Sequence, residues 1–317
     1  MESISQSADT ERRPRWFGTP AILCLILCSL TFLPISRSGA ASNGTCPSTP
    51  ILLVYPKISR LYENVIAQIK KGLQEVVHAE VGVCSIDGLP SSTQDSDSKA
   101  IIAVGESAFA ASIHTYHKAT VVPILVRELP QGARSGISLF LDPQIYIQQL
   151  IELSPEVKAV TLIYRDDVPR SFIDAVKTAA AAHDLRFAAM SVATIRDAAL
   201  AVEAVMRSAG PQDGVWFQRG VVGMNADILV PKIVGLSWEK KVPVFTDEAD
   251  YVARGMLFAM TQDYLAIGRS VAKLIDSAGP GIRYASGPKR VLNRRTAQAI
   301  GIALRTAQEK AFDYVYQ

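Results

Sequence analysis

Short apolar runs alternate with longer segments of helical spacing along most of the chain. The apolar runs, which predict buried strands, are residues 51–55, 81–86, 100–104, 121–126, 160–164, 186–192, 214–217, 242–245 and 256–260. Between them apolar side chains recur every three or four positions, as in the predicted helix at 61–77. Strands that alternate with amphipathic helices predict an α/β fold with parallel sheets.

The remaining predicted helices have recognisable ends. They are residues 108–116, 144–153, 171–183, 195–208, 225–239 and 264–277, and a last helix begins at Arg295 after a short strand at 291–293. Asp142, Thr194 and Asp263 precede three of these helices and are favoured N-cap residues. Pro143 follows Asp142 at the first helical position.

Two polar segments interrupt the pattern. Residues 91–98 are rich in Ser and Asp and predict a solvated helix or loop. Residues 127–132 are rich in turn formers and predict a connection between two lobes. We therefore expect a second series of strands and helices to start at Gly136.

The N-terminus has the organisation of a secretory signal peptide. Several arginines precede an apolar run at 21–35, and small residues follow at 36–41. We expect a signal peptide over residues 1–40 and a periplasmic mature protein. An uncleaved anchor is the alternative, but the run contains Pro34 and is short for a hydrocarbon layer of about 30 Å.

Cleavage of this leader would leave two cysteines. Cys46 lies just before the first predicted strand, and Cys84 lies at the end of the second. Because these strands should be neighbours, one disulfide is expected in an oxidising compartment. The alternative is a buried free Cys84 and an exposed Cys46.

The charge balance excludes some classes of partner. The formal net charge is only +3, and charged residues make up 20% of the chain. Neither nucleic acid nor an anionic membrane surface is therefore implied as a partner.

The sequence contains no convincing catalytic constellation, and we expect no enzyme activity. Glu106 and Ser107 lie at a strand-to-helix turn that partly resembles a nucleophile elbow, but Phe109 occupies the place of its second glycine. No histidine follows His183 to serve as the base. We interpret Ser107 and this helix start as an anion or carboxylate site. The alternative is that Ser107 only caps its own helix.

Signals for cofactors and metals are also missing from the sequence. No glycine-rich nucleotide-binding motif occurs. His114 and His117 are three apart, but no acidic or cysteine residue stands beside them. We interpret them as a surface pair and expect neither a cofactor nor a metal.

Charged residues follow several predicted strands, at the edge where α/β sheets bind ligands. They are Arg127, Glu128, Arg165, Arg219, Asp247 and Glu248. An arginine there can pair with a carboxylate, and Asp247 or Glu248 can meet an ammonium group. Tyr55 and Phe217 are candidate apolar or stacking walls. For each residue taken alone, a surface ion pair or core packing is the alternative.

The order of short motifs in the second half resembles the ABC-transporter substrate-binding family with the type I periplasmic-binding fold, the group that includes tryptophan-binding lipoproteins. The motifs are Gly136-Ile137-Ser138, the runs 150–155 and 157–164, Val242-Pro243-Val244-Phe245 before Arg254-Gly255, Gln262-Asp263-Tyr264, Ile267-Gly268-Arg269 and Val291-Leu292-Asn293. The resemblance covers roughly residues 50–304. The motif Gln218-Arg219 departs from a polar Asp/Asn pair that is common in the family, and no lipobox precedes a cysteine.

The resemblance implies two doubly wound parallel-sheet lobes joined by crossover segments. The N-terminal lobe would comprise 47–134 and 252–277, and the C-terminal lobe 135–251 and 278–317. Carried over by position, the ligand would contact Glu106, Ser107, Arg127, Glu128, Arg165, Ser171, Arg219 and Asp247.

The function that the resemblance implies is that of a monomeric periplasmic receptor. It would bind a small solute, such as an amino acid or another small carboxylate, in the cleft between the lobes and feed an ABC permease. The alternative is a sensing or interaction module that docks onto a membrane sensor kinase or receptor.

Overall fold

Two sheets, each flanked by helices, form the framework of the protein. The computed structural model describes residues 46–57, 62–90, 98–277 and 279–317, all within the unit Asn43–Gln317. In chain order the elements are β1 (Ile51–Tyr55), α1 (Glu63–Gln74), β2 (Val81–Ser85), β3 (Ala100–Val104), α2 (Gly105–Thr115), β4 (Thr120–Val126), β5 (Ser135–Ser138), α3 (Pro143–Leu153), β6 (Ala159–Arg165), α4 (Arg170–Ala181), β7 (Arg186–Val192), α5 (Ile195–Ser208), β8 (Asp213–Phe217), α6 (Arg219–Val222), α7 (Ala226–Lys240), β9 (Val244–Thr246), α8 (Ala249–Ala253), β10 (Phe258–Thr261), α9 (Tyr264–Ser277), β11 (Gly281–Arg283), β12 (Lys289–Asn293), α10 (Arg294–Ala299), α11 (Thr306–Lys310) and β13 (Tyr314–Tyr316).

The first sheet is parallel throughout, with the strand order β11-β5-β4-β3-β1-β2. Successive side chains of β1 point to opposite faces. Leu53 packs in the cluster that contains residues of α1 and α9, whereas Leu52 and Val54 pack in the cluster that contains residues of α2. Because helices cover both faces, the strands are near-continuous apolar runs.

The second sheet has the order β13-β12-β10-β9-β8-β6-β7, and β12 runs antiparallel to β10. Its strands also divide their side chains between two clusters. Trp216 of β8 packs with residues of α3 and α4, whereas Phe217 packs with residues of α5 and α7. Helix α5 begins at a capping box in which Thr194 and Asp197 exchange hydrogen bonds.

Three segments of the described chain pass from one sheet to the other. Residues 139–142 join β5 to α3, residues 262–263 join β10 to α9, and residues 284–288 join β11 to β12. We call them the first, second and third crossing segments. The first two are tied together, because Nε2 of Gln262 donates to the carbonyl oxygen of Leu139 over 2.8 Å.

The predicted fold is confirmed: the protein is an α/β structure with two doubly wound lobes joined by crossover segments. Five elements, namely β1, β3, β7, α5 and α9, begin and end where the sequence predicts them. The predicted N-caps Asp142, Thr194 and Asp263 all accept backbone hydrogen bonds from their helices.

The predicted lobe boundaries assign three strands to one sheet, but each of these strands pairs in the other sheet. β5, predicted to start the second series, pairs with β4 in the first sheet. β10, within the predicted N-terminal segment 252–277, pairs with β9 and β12 in the second sheet. β11, within the predicted C-terminal segment 278–317, pairs with β5. Pairing between distant segments decides the sheet of a short strand, and local sequence does not reveal it.

These pairings move the connection between the lobes. It begins after Ser138, not in the turn-rich residues 127–132.

The helix after β3 begins earlier than predicted, at Gly105, whose φ of +80° favours glycine. Val104 is its N-cap residue and Ser107 lies inside its first turn, so Ser107 does not cap the helix. Three short helices, α6, α8 and α11, and the edge strands β11 and β13 were not predicted from the sequence.

A disulfide joins Cys46 to Cys84 of β2, with their Cα atoms 5.3 Å apart. It ties the segment before β1 to the neighbouring parallel strand.

The predicted signal peptide at 1–40 and the polar segment 91–97 lie outside the described residues. No helix among the residues that are described has the length and apolar character needed to cross a membrane.

Candidate functional site

A cavity of about 370 Å³ lies where the first and second crossing segments meet the ends of the strands of the second sheet. Its size falls in the usual range for small-molecule sites. We call the lobe built on the first sheet the first half and the lobe built on the second sheet the second half. The first half contributes Arg127, which follows β4, and Tyr264, which begins α9. The second half contributes residues at or after the ends of β6, β8 and β9, together with Tyr146 of α3 and Phe172 of α4. A solute in this cavity would therefore touch both halves.

One side of the cavity is lined by a chain of charged groups that joins the two halves. The guanidinium of Arg127 donates to Oδ2 of Asp167 at 3.3 Å, and Nε of Arg165 lies 3.5 Å from Oδ1 of the same carboxylate. Gly220 leaves room for the stem of Arg165, because a Cβ atom there would lie 2.9 Å from its Cδ. Arg127 and Arg165 keep 45% and 41% of their side chains exposed, so both cations remain accessible from the cleft.

A second charged group joins the ends of β8 and β9. The backbone N–H of Arg219 donates to Oδ1 of Asp247 over 2.5 Å, and its guanidinium lies 3.8 Å from Oε2 of Glu248. That distance is longer than a hydrogen bond. The guanidinium has five N–H groups, so it can still donate hydrogen bonds to a ligand. Cations and carboxylates therefore stand side by side at this edge.

Burial and mutual attraction shift the pKa values of this group. Burial raises the pKa of the Asp247 carboxyl above its usual range, although the charge of Arg219 opposes the shift. Burial also raises the pKa of Glu248, again opposed by Arg219. Burial alone would lower the pKa of Arg219, but Asp247, Tyr264 and Glu248 outweigh it and the pKa is raised. Arg219 therefore stays charged, and its positive charge favours the ionised form of both carboxyls.

Another part of the cavity lining is aromatic. Trp216 stacks on Tyr146 with ring centroids 4.1 Å apart, and Phe172 meets Trp216 edge-on at 6.0 Å. Phe140, in the first crossing segment, stacks on Phe172 at 4.3 Å. Burial raises the pKa of Tyr146 well above its usual value, so its hydroxyl stays protonated and donates to the carbonyl oxygen of Met260 at 2.9 Å. This aromatic end offers flat apolar surface to a solute.

Several buried polar atoms at the cavity find no hydrogen-bond partner in the described part of the chain. Five buried side-chain atoms of this kind occur there, and three belong to residues that line the cavity: Nε of Arg165, Nε1 of Trp216 and Oε1 of Gln262. Buried polar groups normally have partners. These three atoms are closed off from the cavity, so they belong to its polar wall and are not free ligand contacts.

The structure brings together four of the predicted ligand-binding residues, Arg127, Arg165, Arg219 and Asp247, and all four line the cavity. Glu106, Glu128 and Ser171 lie beside it without lining it. Oε1 of Glu106 accepts from the backbone N–H of Arg127 at 2.7 Å. Oε1 of Glu128 accepts from the hydroxyl of Ser171 at 3.1 Å, which links the two halves.

The other predicted contacts do not line the cavity. Phe217 is completely buried in the core cluster that contains residues of α5 and α7. Tyr55 is half-buried and packs against the larger core cluster. Ser107 is exposed within the first turn of α2. Core packing therefore describes Phe217 and Tyr55 better than a role as ligand walls.

Sequence reasoning missed the aromatic lining residues and Gln262 as parts of a site. Phe140, Tyr146, Phe172 and Trp216 lie within apolar patterns that also fit core positions. The available signal was the alternation in β8, which places Trp216 on the opposite face from Phe217. Gln262 has no signal in the sequence beyond its place in the motif Gln262-Asp263-Tyr264.

A second cavity of about 420 Å³ adjoins the first. The two share Leu139, Arg219, Glu248 and Tyr264 as lining residues. Leu125 lines the second cavity and has a positive φ of 56°, at a shift in register between β4 and β5. This bulge immediately precedes Val126 and Arg127, so it sets the direction in which the chain leaves β4.

Metal binding has no structural support among the described residues, because no group of three or more His, Cys, Asp or Glu side chains is arranged to hold an ion there. The side chains that line the cavity offer hydrogen bonds, ion pairs and aromatic contact. Such a set can recognise a small polar or zwitterionic molecule.

Solved structures share this fold at low sequence identity. An open, ligand-free substrate binding protein with adhesive properties from Clostridium difficile has a TM-score of 0.60 and 15% identity, over 84% of this chain and 99% of that chain. An ABC domain from Streptococcus pneumonia in complex with L-Trp has a TM-score of 0.55 and 17% identity over the same shares. A periplasmic solute binding protein from Actinobacillus succinogenes 130z with bound D-allose has a TM-score of 0.50 and 14% identity, over 78% and 98%.

No curated protein matches the sequence significantly. Residues 125–311 match the family described as ABC transporter substrate binding protein. Because this match spans more than half of the chain, the protein belongs to the ABC transporter substrate-binding protein family.

Proposed function

We propose that this protein is the periplasmic solute-binding component of an ABC importer and that it binds a small carboxylate, such as an amino acid, between its two halves. The observation that carries the proposal is the cavity of about 370 Å³ at the crossing segments, lined by three arginines, three carboxylates and an aromatic wall. Family membership supports the transport role.

The charges in the cavity favour a zwitterion or an anion over an uncharged sugar. Arg165 and Arg219 each offer guanidinium N–H groups that can bind a carboxylate in a bidentate manner. Asp247 and Glu248 stand beside Arg219 and can receive an ammonium group. The structurally similar ABC domain from Streptococcus pneumonia is in complex with L-Trp. That ligand combines these charges with an aromatic side chain.

Binding would work by shifting an equilibrium between open and closed arrangements of the lobes. The halves already make direct contacts, from Arg127 to Asp167 and from Ser171 to Glu128. A solute that touches both halves adds contacts that exist only in the closed form, so it stabilises that form. A membrane permease can then distinguish loaded from empty protein.

No step in this proposal makes or breaks a covalent bond. The serine with the strongest catalytic signal in the sequence, Ser107, is exposed within α2 and does not line the cavity. A monomer suffices for the function, because one chain supplies both walls of the cleft.

Native mass spectrometry of the protein purified from its own periplasm tests the proposal. We expect a retained small molecule that raises the thermal unfolding temperature of protein stripped by mild denaturation and refolding. Arg219→Gln should weaken binding of that molecule by about tenfold or more, because hydrogen bonds to a charged group are lost.

The matched control is Arg207→Gln. Arg207 pairs with Glu203 on the exposed surface of α5, outside the cavity, so its replacement should leave affinity unchanged. Absence of any retained molecule, together with no thermal shift across a broad library of amino acids and carboxylates, would exclude the proposed function.

A further inference from the structure

The second cavity, of about 420 Å³, lies at the carboxyl ends of strands of the first sheet. Pro56 follows β1, Val104 ends β3 and Leu125 is the last residue but one of β4, and all three line this cavity. In α/β sheets this edge binds ligands. The second cavity therefore has the same position on the first sheet that the first cavity has on the second sheet.

The two cavities meet at four residues that line both, namely Leu139, Arg219, Glu248 and Tyr264. The guanidinium of Arg219 lies 3.8 Å from a carboxylate oxygen of Glu248, and 45% of the Arg219 side chain is exposed. A carboxylate that binds Arg219 thus stands at the boundary between the cavities. The rest of such a solute can extend into the second cavity.

The two cavities differ in charge. Apart from the shared Arg219 and Glu248, no charged side chain lines the second cavity in the described part of the chain. Burial raises the pKa of Tyr251 and of Tyr264, so these two lining residues keep neutral hydroxyl groups. The first cavity, in contrast, has two further arginines and two further carboxylates in its lining. The second cavity is therefore suited to an uncharged group.

Apolar side chains of the second cavity remain partly in contact with water. Tyr62 is 57% exposed and Leu125 is half-buried. Tyr146, Phe172 and Trp216 of the first cavity are at most 6% exposed. The free energy gained by apolar burial grows with the apolar area that is removed from water. More of this gain is therefore available to a solute in the second cavity.

We infer that the second cavity binds the apolar part of the solute, and that the protein selects carboxylates with an alkyl or aryl chain over short or polar ones. The carboxylate binds Arg219 at the boundary, and the chain lies among Tyr62 and Leu125 of the first half and Tyr251 of the second half. The inference rests on the proposed function, because it assumes that a small carboxylate binds between the halves, and it adds the chemistry of the other end of the solute.

Two ladders of probes test the inference by isothermal titration calorimetry, in displacement mode for weakly bound members. One ladder is butanoate, hexanoate and octanoate. The other is L-2-aminobutanoate, L-norleucine and L-2-aminooctanoate, which carry an ammonium group beside the carboxylate. In at least one ladder we expect affinity to rise about twofold or more for each added methylene.

Ether analogues separate chain length from apolar character. 4-Methoxybutanoate matches hexanoate, and O-methyl-L-homoserine matches L-norleucine, with one methylene replaced by oxygen. In the ladder that responds to length, the ether should bind about threefold or more weakly than its hydrocarbon counterpart, because an ether oxygen loses water in an apolar site.

Tyr62→Ser removes an aromatic wall of the second cavity at an exposed position. Tyr62 is the N-cap residue of α1 and makes no capping hydrogen bond through its side chain, whereas serine is a favoured N-cap residue. We expect the affinity ratio of the longest to the shortest probe to fall about threefold or more, while the shortest probe keeps its affinity within about twofold. The control is Tyr314→Ser, because Tyr314 is 56% exposed and lines neither cavity. It should leave the ratio unchanged.

Leu125→Asn tests the second cavity from the other side. Leu125 has a φ of +56°, in a region that asparagine tolerates better than leucine, so the backbone can keep its conformation. The amide replaces an apolar wall by a polar one. We expect the same selective loss for the longest probe.

Equal affinities along both ladders, or equal weakening of short and long probes by Tyr62→Ser and Leu125→Asn, would overturn the inference. So would failure of every probe to bind while native mass spectrometry still detects a retained solute, and that outcome would leave the proposed function standing. Failure of every probe with no retained solute would overturn both.

Discussion

The side-chain amide of Gln262 donates to the carbonyl oxygen of Leu139 over 2.8 Å, and the two residues belong to different crossing segments. This hydrogen bond joins the path from β5 into α3 to the path from β10 into α9. Any relative rotation of the lobes must bend these two paths together or break the bond. The hydrogen bond therefore couples the first and second crossing segments to each other at the wall of the cavity.

Gln262→Ala should loosen this coupling. We expect the radius of gyration of ligand-free protein, measured by small-angle X-ray scattering, to increase because open arrangements become more populated. The free energy of unfolding should fall by about 0.5–1.5 kcal/mol for the lost hydrogen bond.

Gln148→Ala is the matched control for this experiment. The amide of Gln148 donates to Glu152 at 3.2 Å within α3 and crosses no boundary between lobes. Its replacement should leave the scattering profile unchanged. Identical profiles for both variants would contradict a role of the Gln262 bond in holding the crossing segments.

Asp247 gives the stability of the protein a characteristic pH dependence. Burial raises the folded-state pKa of Asp247 above its unfolded value of about 3.9, although Arg219 opposes the shift. Between those two values the folded state binds more protons than the unfolded state. The contribution of Asp247 to the free energy of unfolding therefore falls as pH rises through that window. Glu248, whose pKa burial also raises, contributes in the same direction.

Thermal unfolding of Asp247→Asn between pH 4 and 7 tests this sign. Relative to the parent protein, the variant should become more stable as pH rises. Asp197 provides a control of opposite sign, because the hydrogen bond from Thr194 lowers its pKa. For this control the measurement extends below about pH 3.9, the unfolded pKa, because the contribution of the Asp197 carboxylate is lost only there, and Asp197→Asn should lose least relative to the parent at that end. If the stabilities of Asp247→Asn and the parent change in parallel with pH, the raised pKa of Asp247 is refuted.

The close contact between α1 and α9 leads to a third prediction. A Cβ atom on Gly72 would lie 2.0 Å from the carbonyl oxygen of Leu265, so Gly72→Ala must push the helices apart. We expect a loss of about 1–3 kcal/mol in the free energy of unfolding, measured by urea denaturation. Because α9 begins just after Gln262, solute affinity should also fall.

Gly235→Ala is the matched control. Gly235 lies inside α7, is exposed, and has open space where a Cβ atom would be placed. Alanine favours helix over glycine by about 0.5–1 kcal/mol, so this variant should be slightly more stable than the parent. A similar change in stability for both variants would mean that the helices are not held by the contact at Gly72.

The charged part of the candidate site could be predicted from the sequence, and the aromatic part could not. Arg165, Arg219 and Asp247 stand at or just after the ends of strands, where position in a parallel sheet is enough to place them at the ligand edge. Trp216 and Phe172 lie inside a strand and a helix. Their apolar side chains fit a core equally well, and only the packing of α4 against the sheet shows which of them border a cavity.

For a related reason, the sequence could not assign every strand to its sheet. β1 and β3 are uninterrupted apolar runs of five residues, so their burial is evident from composition. β5 and β11 are short, and their membership of the first sheet depends on pairing with each other and with β4. Such pairing joins segments far apart in sequence, so a local pattern contains no information about it.

The disulfide between Cys46 and Cys84 closes a loop with a sequence separation of 38 and leads to a final prediction. A crosslink of this span restricts the unfolded chain, so its loss should lower the free energy of unfolding by about 2–4 kcal/mol. Cys46→Ser with Cys84→Ser should therefore unfold at lower denaturant concentration than the oxidised parent. Reduction of the parent with dithiothreitol should produce a similar loss, whereas the double variant should not respond to the reductant.

The crosslink is also expected to act on stability more than on binding. Cys46 and Cys84 tie the segment before β1 to β2, and neither residue lines the cavity. The double variant should keep its solute affinity within about twofold at temperatures where it remains folded, because the arginines and aromatic residues of the site do not depend on this edge of the first sheet. A large loss of affinity in the folded double variant, measured by calorimetry, would mean that the edge strand β2 helps to position the cleft.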